Sequence, residues 1–260
     1  MSVVILLAMQ RSGTQALGSV LDQHSGIEYL GEVFHDKYRD RPSNYFGYLE
    51  NLNNADRALL SPDQSPERFR RFMAHIDALT KKDVTALDVK YASTHHFEKY
   101  WKNLWAPPFF IQLLAAHQIP VIHLTRRNIL KQYVSNLMAE ATNVWNVKEL
   151  AELDTKKIKV NTESLIAELD MRENHARLMG QYLLACPKVT TFDYAELFWE
   201  NELSESVAAK LTEFLGVTDF VNRKPVFHKQ NPEHLEDAIS NMDDVVATIQ
   251  PSRFFWMLEN

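Results

Sequence analysis

Apolar residues concentrate in four short runs, Val3 to Met9, Val84 to Lys90, Pro120 to Arg126 and Lys188 to Tyr194, and each predicts a strand. Two of these, "VVILLAM" and "PVIHLTR", are almost continuously apolar, as strands covered on both faces are. Helical periodicity fills the spaces, around Thr14 to Gln23, Ser65 to Thr80, Pro107 to His117, Asn128 to Ala141, Thr162 to Ala185 and Ser204 to Leu215. Strands alternating with helices specify a parallel sheet with crossover helices. Ligands of such sheets bind beyond the carboxyl ends of the strands.

Two stretches depart from the alternation, at about 36–66 and 142–162. The first is rich in Asn, Asp, Pro and aromatics; the second is charged with little apolar repetition. Both read as excursions from the sheet, serving as lids and substrate loops or as solvated linkers. The 260 residues are expected to form one domain, 1–260, with no internal repeat. A formal net charge of -6 argues against a general nucleic-acid or anionic-membrane binder, which needs basic surface. The N-terminal apolar run lacks a preceding basic region and is too short for a signal peptide or a membrane span. The single cysteine, Cys186, excludes an intrachain disulfide and reads as a buried small residue. A cytoplasmic protein is expected.

The strand-to-helix junction "AMQRSGTQ" carries the strongest chemical signal. A strand that runs directly into a helix through small residues aims several N–H groups and the positive end of the helix dipole at one point, which favours an anion. Gly13 allows close backbone approach, Thr14 is placed to cap the helix, and Arg11 adds a permanent positive charge. The G-x-x-x-x-G-K-[ST] phosphate loop is absent, and with it the lysine and hydroxyl that a nucleoside triphosphatase places on phosphate and magnesium.

"RSGT" after a first strand resembles the 5'-phosphosulfate loop of sulfotransferases, which use 3'-phosphoadenosine 5'-phosphosulfate (PAPS) as sulfuryl donor and release adenosine 3',5'-bisphosphate (PAP). "TRRNILKQYVS" resembles the family's 3'-phosphate motif, Arg-Asn with a serine eight positions after the arginine. The resemblance implies an α/β, P-loop-like three-layer fold with a central parallel sheet flanked by helices. It assigns Arg11, Ser12, Gly13, Thr14 and Gln15 to the phosphosulfate end, and Arg127 and Ser135 to the 3'-phosphate. Their spacing, a little over two helical turns, lets both groups face one phosphate. "NRKPVFHKQNP" resembles the late basic loop, which adds Arg223, Lys224 and Lys229, although the glycine of that signature is missing. With "GEVF" and "SRFFWMLEN", the likeness is to bacterial carbohydrate sulfotransferases of the nodulation-factor and trehalose type. Arg11 replaces the lysine of cytosolic members and Gln15 their second threonine, so Arg11 is expected to stabilise the leaving phosphate electrostatically and not to donate a proton.

The same resemblance makes Glu32, in "LGEVF", the base that takes the proton of the acceptor hydroxyl, with Val33 and Phe34 expected to desolvate it. His35, His95 and His96 are rival bases, and Lys90 is a candidate for positioning the sulfuryl group. The adjacent His95 and His96 also read as surface or packing residues, and no tight ligand cluster calls for a metal. Tyr38, Tyr45, Phe46 and Tyr48 suit stacking on sugar rings or packing in a long loop. The acceptor is expected to be a small molecule or a carbohydrate or glycolipid, with the oligomeric state open. A P-loop-type kinase and a non-catalytic nucleotide-binding module remain as alternatives.

Overall fold

The computed structural model describes residues 2–98, 106–145, 157–227 and 234–259. Its main sheet consists of β1 (Ser2–Ala8), β2 (Ile27–Glu32), β3 (Val84–Lys90), β4 (Val121–Thr125) and β5 (Val189–Asp193). Their order is β2-β3-β1-β4-β5, and every pairing is parallel. β1 is therefore central. The chain leaves it for β2 and β3 on one side and later for β4 and β5 on the other, so the reversal of strand order falls beside its C-terminal end, where open parallel sheets take ligands.

Helices α1 (Thr14–Asp22), α2 (Tyr45–Glu50), α3 (Ser65–Leu79), α4 (Phe109–Ala116), α5 (Ile129–Thr142) and α6 (Thr162–Leu183) alternate with these strands. After β5 come the single turn α7 (Tyr194–Leu197), the hairpin of β6 (Phe198–Trp199) and β7 (Glu202–Leu203), then α8 (Glu205–Leu215), α9 (Leu235–Ala238) and α10 (Met242–Ile249). One sheet face presents Val4, Leu6 and Ala8 to Leu17 and Leu21 of α1 and Leu211 of α8. The opposite face presents Ile5, Leu7 and Val89 to Phe72 of α3, Phe110 of α4 and Met179 of α6. Alternate residues of β1 thus feed two cores, the physical basis of its unbroken apolar run. A third cluster joins α5, α6, α10 and the C-terminal residues Phe254 and Met257.

The four expected strands and six expected helices are all present, within a few residues of their expected ends. β2 was not expected. It is an edge strand whose residues after Ile27 are only half-buried, and a register shift between Tyr29 and Glu32, where Gly31 has φ 68, interrupts the alternation that would betray a strand. The excursion at 36–66 is folded: the Asn44 side chain caps α2 by accepting from the N–H groups of Phe46 and Gly47. Tyr45 is fully buried against Phe34, Phe72 and Phe97, and Phe46 and Tyr48 pack on the same core. These three aromatics serve packing, while Tyr38 has the Arg41 guanidinium over its ring at 3.8 Å. Residues 146–156 of the second excursion lie outside the described residues. Cys186 is buried, which pushes its thiol pKa up.

Gly18 lies where the Tyr29 ring crosses α1, and a Cβ there would come within 2.2 Å of that ring. Gly18→Ala is expected to cost about 1–3 kcal/mol, the scale of overpacking, in urea unfolding. The cost should shrink in a Tyr29→Ala background; equal costs in both backgrounds would disconnect glycine from tyrosine.

Candidate active site

β1 ends at Ala8, and the next five residues form the turn into α1. Arg11 at φ 63 and Gly13 at φ 89 both adopt left-handed conformations. Such values strain a non-glycine residue and mark functional turns. Gly13 has a second constraint, because a Cβ would lie 2.5 Å from the Tyr194 ring. Gly13, not Thr14, is the N-cap, and the first intrahelical bond runs from the N–H of Leu17 to the Gly13 carbonyl. The N–H groups of Thr14, Gln15 and Ala16 thus have no intrahelical acceptor. Thr14 does something else than cap: its hydroxyl accepts a 2.6 Å hydrogen bond from Lys90 Nζ.

Lys90 closes β3 beside the turn, opposite Ala8 in the register. Its ammonium also donates to both carboxylate oxygens of Asp88 at 2.8 Å. Asp88 and Lys90 share a strand face because they are two residues apart. The Asp88 side chain is fully buried, and it accepts a 3.0 Å bond from the Tyr29 hydroxyl. Burial and the Asp88 carboxylate together hold the Tyr29 phenol well above its usual pKa. Glu32, at the end of β2, brings a carboxylate oxygen within 3.5 Å of Lys90 Nζ and remains partly exposed. Lys90 is therefore the hub of Thr14, Asp88 and Glu32. Val33 and Phe34, expected to desolvate Glu32, are instead part of the core under the sheet.

Two arginines support the turn from the other side. Arg11 donates from Nε to the Ser135 hydroxyl at 3.0 Å and from a terminal nitrogen to the Trp145 carbonyl at 2.6 Å. Arg126 donates to the Arg11 carbonyl at 2.9 Å and lies over the Tyr194 ring. Burial and the charge of Arg126 pull Arg11 down to about 10, so it stays protonated at neutral pH. Two desolvated guanidinium groups beside a helix N-terminus favour an anion at that place. Ser12 is buried and its hydroxyl accepts from Gln132 Nε2 at 2.8 Å, while Gln15 is half-exposed in the first turn of α1. The donor set of the turn fits a phosphosulfate-like dianion.

The remaining assigned residues are placed differently. Arg127 precedes α5, whose cap is Asn128; its guanidinium is exposed and its Nε lies 3.6 Å from Asp193. Ser135 meets Arg11, not Arg127. Arg223 and Lys224 lie beside Glu202, Arg223 also beside Glu205, and the Lys224 carbonyl accepts from Gln23 at the far end of α1 from the turn. Lys229 lies outside the described residues. His35 accepts from the N–H of Lys37, and His95 is exposed. His96 stacks on Phe34, and burial lowers its pKa to about 4. No group of three or more His, Cys, Asp or Glu side chains among the described residues is arranged to hold a metal.

No family model matches the chain. Nodulation protein H of Rhizobium meliloti (strain 1021) is 30% identical over 141 residues, 54% of this chain and 48% of that protein. This match agrees with the likeness to a nodulation-type protein expected from the sequence. It spans about half the length of the curated relative. Among solved structures, a sulfotransferase from Alicyclobacillus acidocaldarius aligns over 100% of this chain and 94% of its own, with a TM-score of 0.49 and 11% identity. No helix among the described residues is long and apolar enough to cross a membrane.

Sequence reasoning did not single out Asp88, Arg126 or Gln132. An acidic residue inside the apolar run "VTALDVK", two positions before Lys90, was the available signal for Asp88; the doubled arginine of "TRRN" was the signal for Arg126.

Lys90→Met strands the buried Asp88 carboxylate and is expected to cost about 3–5 kcal/mol in urea unfolding at neutral pH. Adding Asp88→Asn should restore part of the loss, whereas additive losses would mean that the pair does not act as one. A second expectation concerns His123, buried and hydrogen-bonded through Nε2 to the Tyr91 hydroxyl at 2.5 Å, with a pKa lowered by burial to about 4. The unfolded chain then binds more protons between pH 6.5 and 4, so stability falls as pH drops through that window. From pH 7 to 5 the wild type should lose about 2 kcal/mol more than His123→Gln; parallel pH profiles would contradict this.

Proposed function

We propose that this chain is a sulfotransferase that moves the sulfuryl group of PAPS to a hydroxyl of a carbohydrate or glycolipid-like acceptor. The observation that carries the reading is the position of Lys90, bonded to Thr14 at the start of α1 and 3.5 Å from the Glu32 carboxylate. Cation, anion-binding turn and carboxylate stand together at the carboxyl edge of the sheet. The similarity to a nodulation protein and the "RSGT" and "RRN" motifs support the same reading.

In this mechanism the acceptor oxygen forms a bond to sulfur while its proton passes to Glu32. The bond between sulfur and the bridging oxygen breaks, and the charge that collects on that oxygen is stabilised by Arg11 and Lys90, with the N–H groups of the turn directed at the 5'-phosphate. Ser12 and Gly13 shape that turn, and Gln15 lies in its first helical residues. Arg127 and Ser135 serve the 3'-phosphate of the donor; Ser135, bonded to Arg11, then links the two phosphate ends of one nucleotide. Arg223 and Lys224 join them only by exchanging their carboxylate partners for the ligand. Glu32 lies 3.5 Å from Lys90, whereas His96 stacks on Phe34 and His95 is exposed, which favours Glu32 as base.

The test is product analysis by mass spectrometry after incubation with PAPS and a panel of sugar and glycolipid acceptors. Sulfated product with release of PAP is expected; phosphorylated product from ATP and magnesium, with none from PAPS, would replace this reading by a kinase. Glu32→Gln should lower turnover by ~10²- to 10⁴-fold with PAP affinity kept. Joint replacement of His95 and His96 should cost far less, and the reverse pattern would move the base to a histidine.

A further inference from the structure

Two buried side-chain polar atoms lack a hydrogen-bond partner among the described residues, Arg172 Nε and Gln132 Oε1. Their side chains converge on one segment. Arg172 of α6 reaches Met9, with a terminal nitrogen 3.9 Å from the thioether sulfur; Gln132 of α5 donates to Ser12. Met9 and Ser12 bracket the turn that leaves β1.

The surroundings of Arg172 do not satisfy it. Its side chain is 13% exposed, and Glu168, one helical turn earlier, leaves a carboxylate oxygen 3.9 Å from Nε, beyond hydrogen-bond length. Its guanidinium carbon stands 5.1 Å from the centre of the Tyr133 ring, and a thioether is a weak acceptor. Burial presses its pKa down, opposed by Glu168, Tyr133 and Glu140. Buried polar atoms are nearly always hydrogen-bonded, and an exception beside a binding turn calls for a ligand that completes it. The left-over pair is one cationic donor and one neutral acceptor.

We infer that Arg172 is a ligand-binding residue of this site, its guanidinium taking an anionic oxygen of a sulfate, phosphate or carboxylate group, while Gln132 Oε1 accepts from a hydroxyl or N–H of the same ligand. The inference depends on the sulfotransferase reading for the source of the anion, which is the nucleotide or the transferred group and its acceptor, and not for the anion itself.

Binding of PAP and of inorganic sulfate is to be measured calorimetrically on the full chain for wild type, Arg172→Met and Arg172→Lys, with melting of each protein without ligand. Arg172→Met removes an incompletely partnered buried charge, so its melting temperature without ligand should be unchanged or raised, with a loss of about tenfold or more in affinity for at least one probe. Loss for PAP assigns the anion to the nucleotide; loss for sulfate alone assigns it to the transferred group or acceptor. Changes under about fivefold for both probes overturn the inference, whatever the melting temperature does. If Arg172→Met does not fold, the same limits apply to Arg172→Lys, which keeps the charge and loses the fork. A wild type that binds sulfate but not PAP removes the donor reading and leaves this inference to its sulfate arm; a wild type that binds neither removes this inference.

Discussion

The buried contact between Lys90 and Asp88 joins the elements that matter most. Asp88 and Lys90 sit on β3 next to the central strand, Tyr29 reaches Asp88 from the edge strand, and Thr14 ties the ammonium to the start of α1. A charge this deeply buried is tolerated only when each of its donors finds an acceptor. The acceptors come from β3 itself and from the turn, with Glu32 of β2 close by, so the ion pair sets their relative positions as much as it contributes to stability. Gly18 belongs to the same arrangement, since the absent side chain is what lets the Tyr29 ring lie across α1.

On the opposite side of the turn positive charge accumulates. Arg11 and Arg126 are both desolvated and both held below their usual pKa by burial, and the turn they support has left-handed residues at two places. Strain and like-charge proximity in a small volume favour the binding of an anion there. Lys90, paired with Asp88, does not share that strain. The site thus divides into a balanced half next to Glu32 and a cation-rich half next to Ser135.

The sheet interior was legible in the amino-acid order because strands buried on both faces carry uninterrupted apolar runs, and the helices between them keep their period. β2 escaped because an edge strand with Glu28, Gly31 and Glu32 has little apolar signal, yet it delivers Glu32. The turn was legible from Arg11, Ser12 and Gly13, whereas the role of Thr14 was not, since its partner lies 76 residues away. Asp88, Arg126 and Gln132 act through tertiary contacts that no local spacing encodes. Arg223 and Lys224 illustrate the converse: their basic character was evident, but the acidic neighbours that hold them are Glu202, in a hairpin with no strand-like pattern of its own, and Glu205, at the start of α8.

Asn128, the cap of α5, also donates through its side chain to the carbonyl of Met257, 129 residues further along the chain. The helix that presents Gln132 and Ser135 therefore receives part of its anchoring from a segment far downstream in the chain. The contacts of Lys90, by contrast, draw only on residues before position 91. A chain cut short of Met257 is expected to keep the contacts of Lys90 and to lose this bond to α5, so such a truncation loosens the cation-rich half of the site and leaves the balanced half in place.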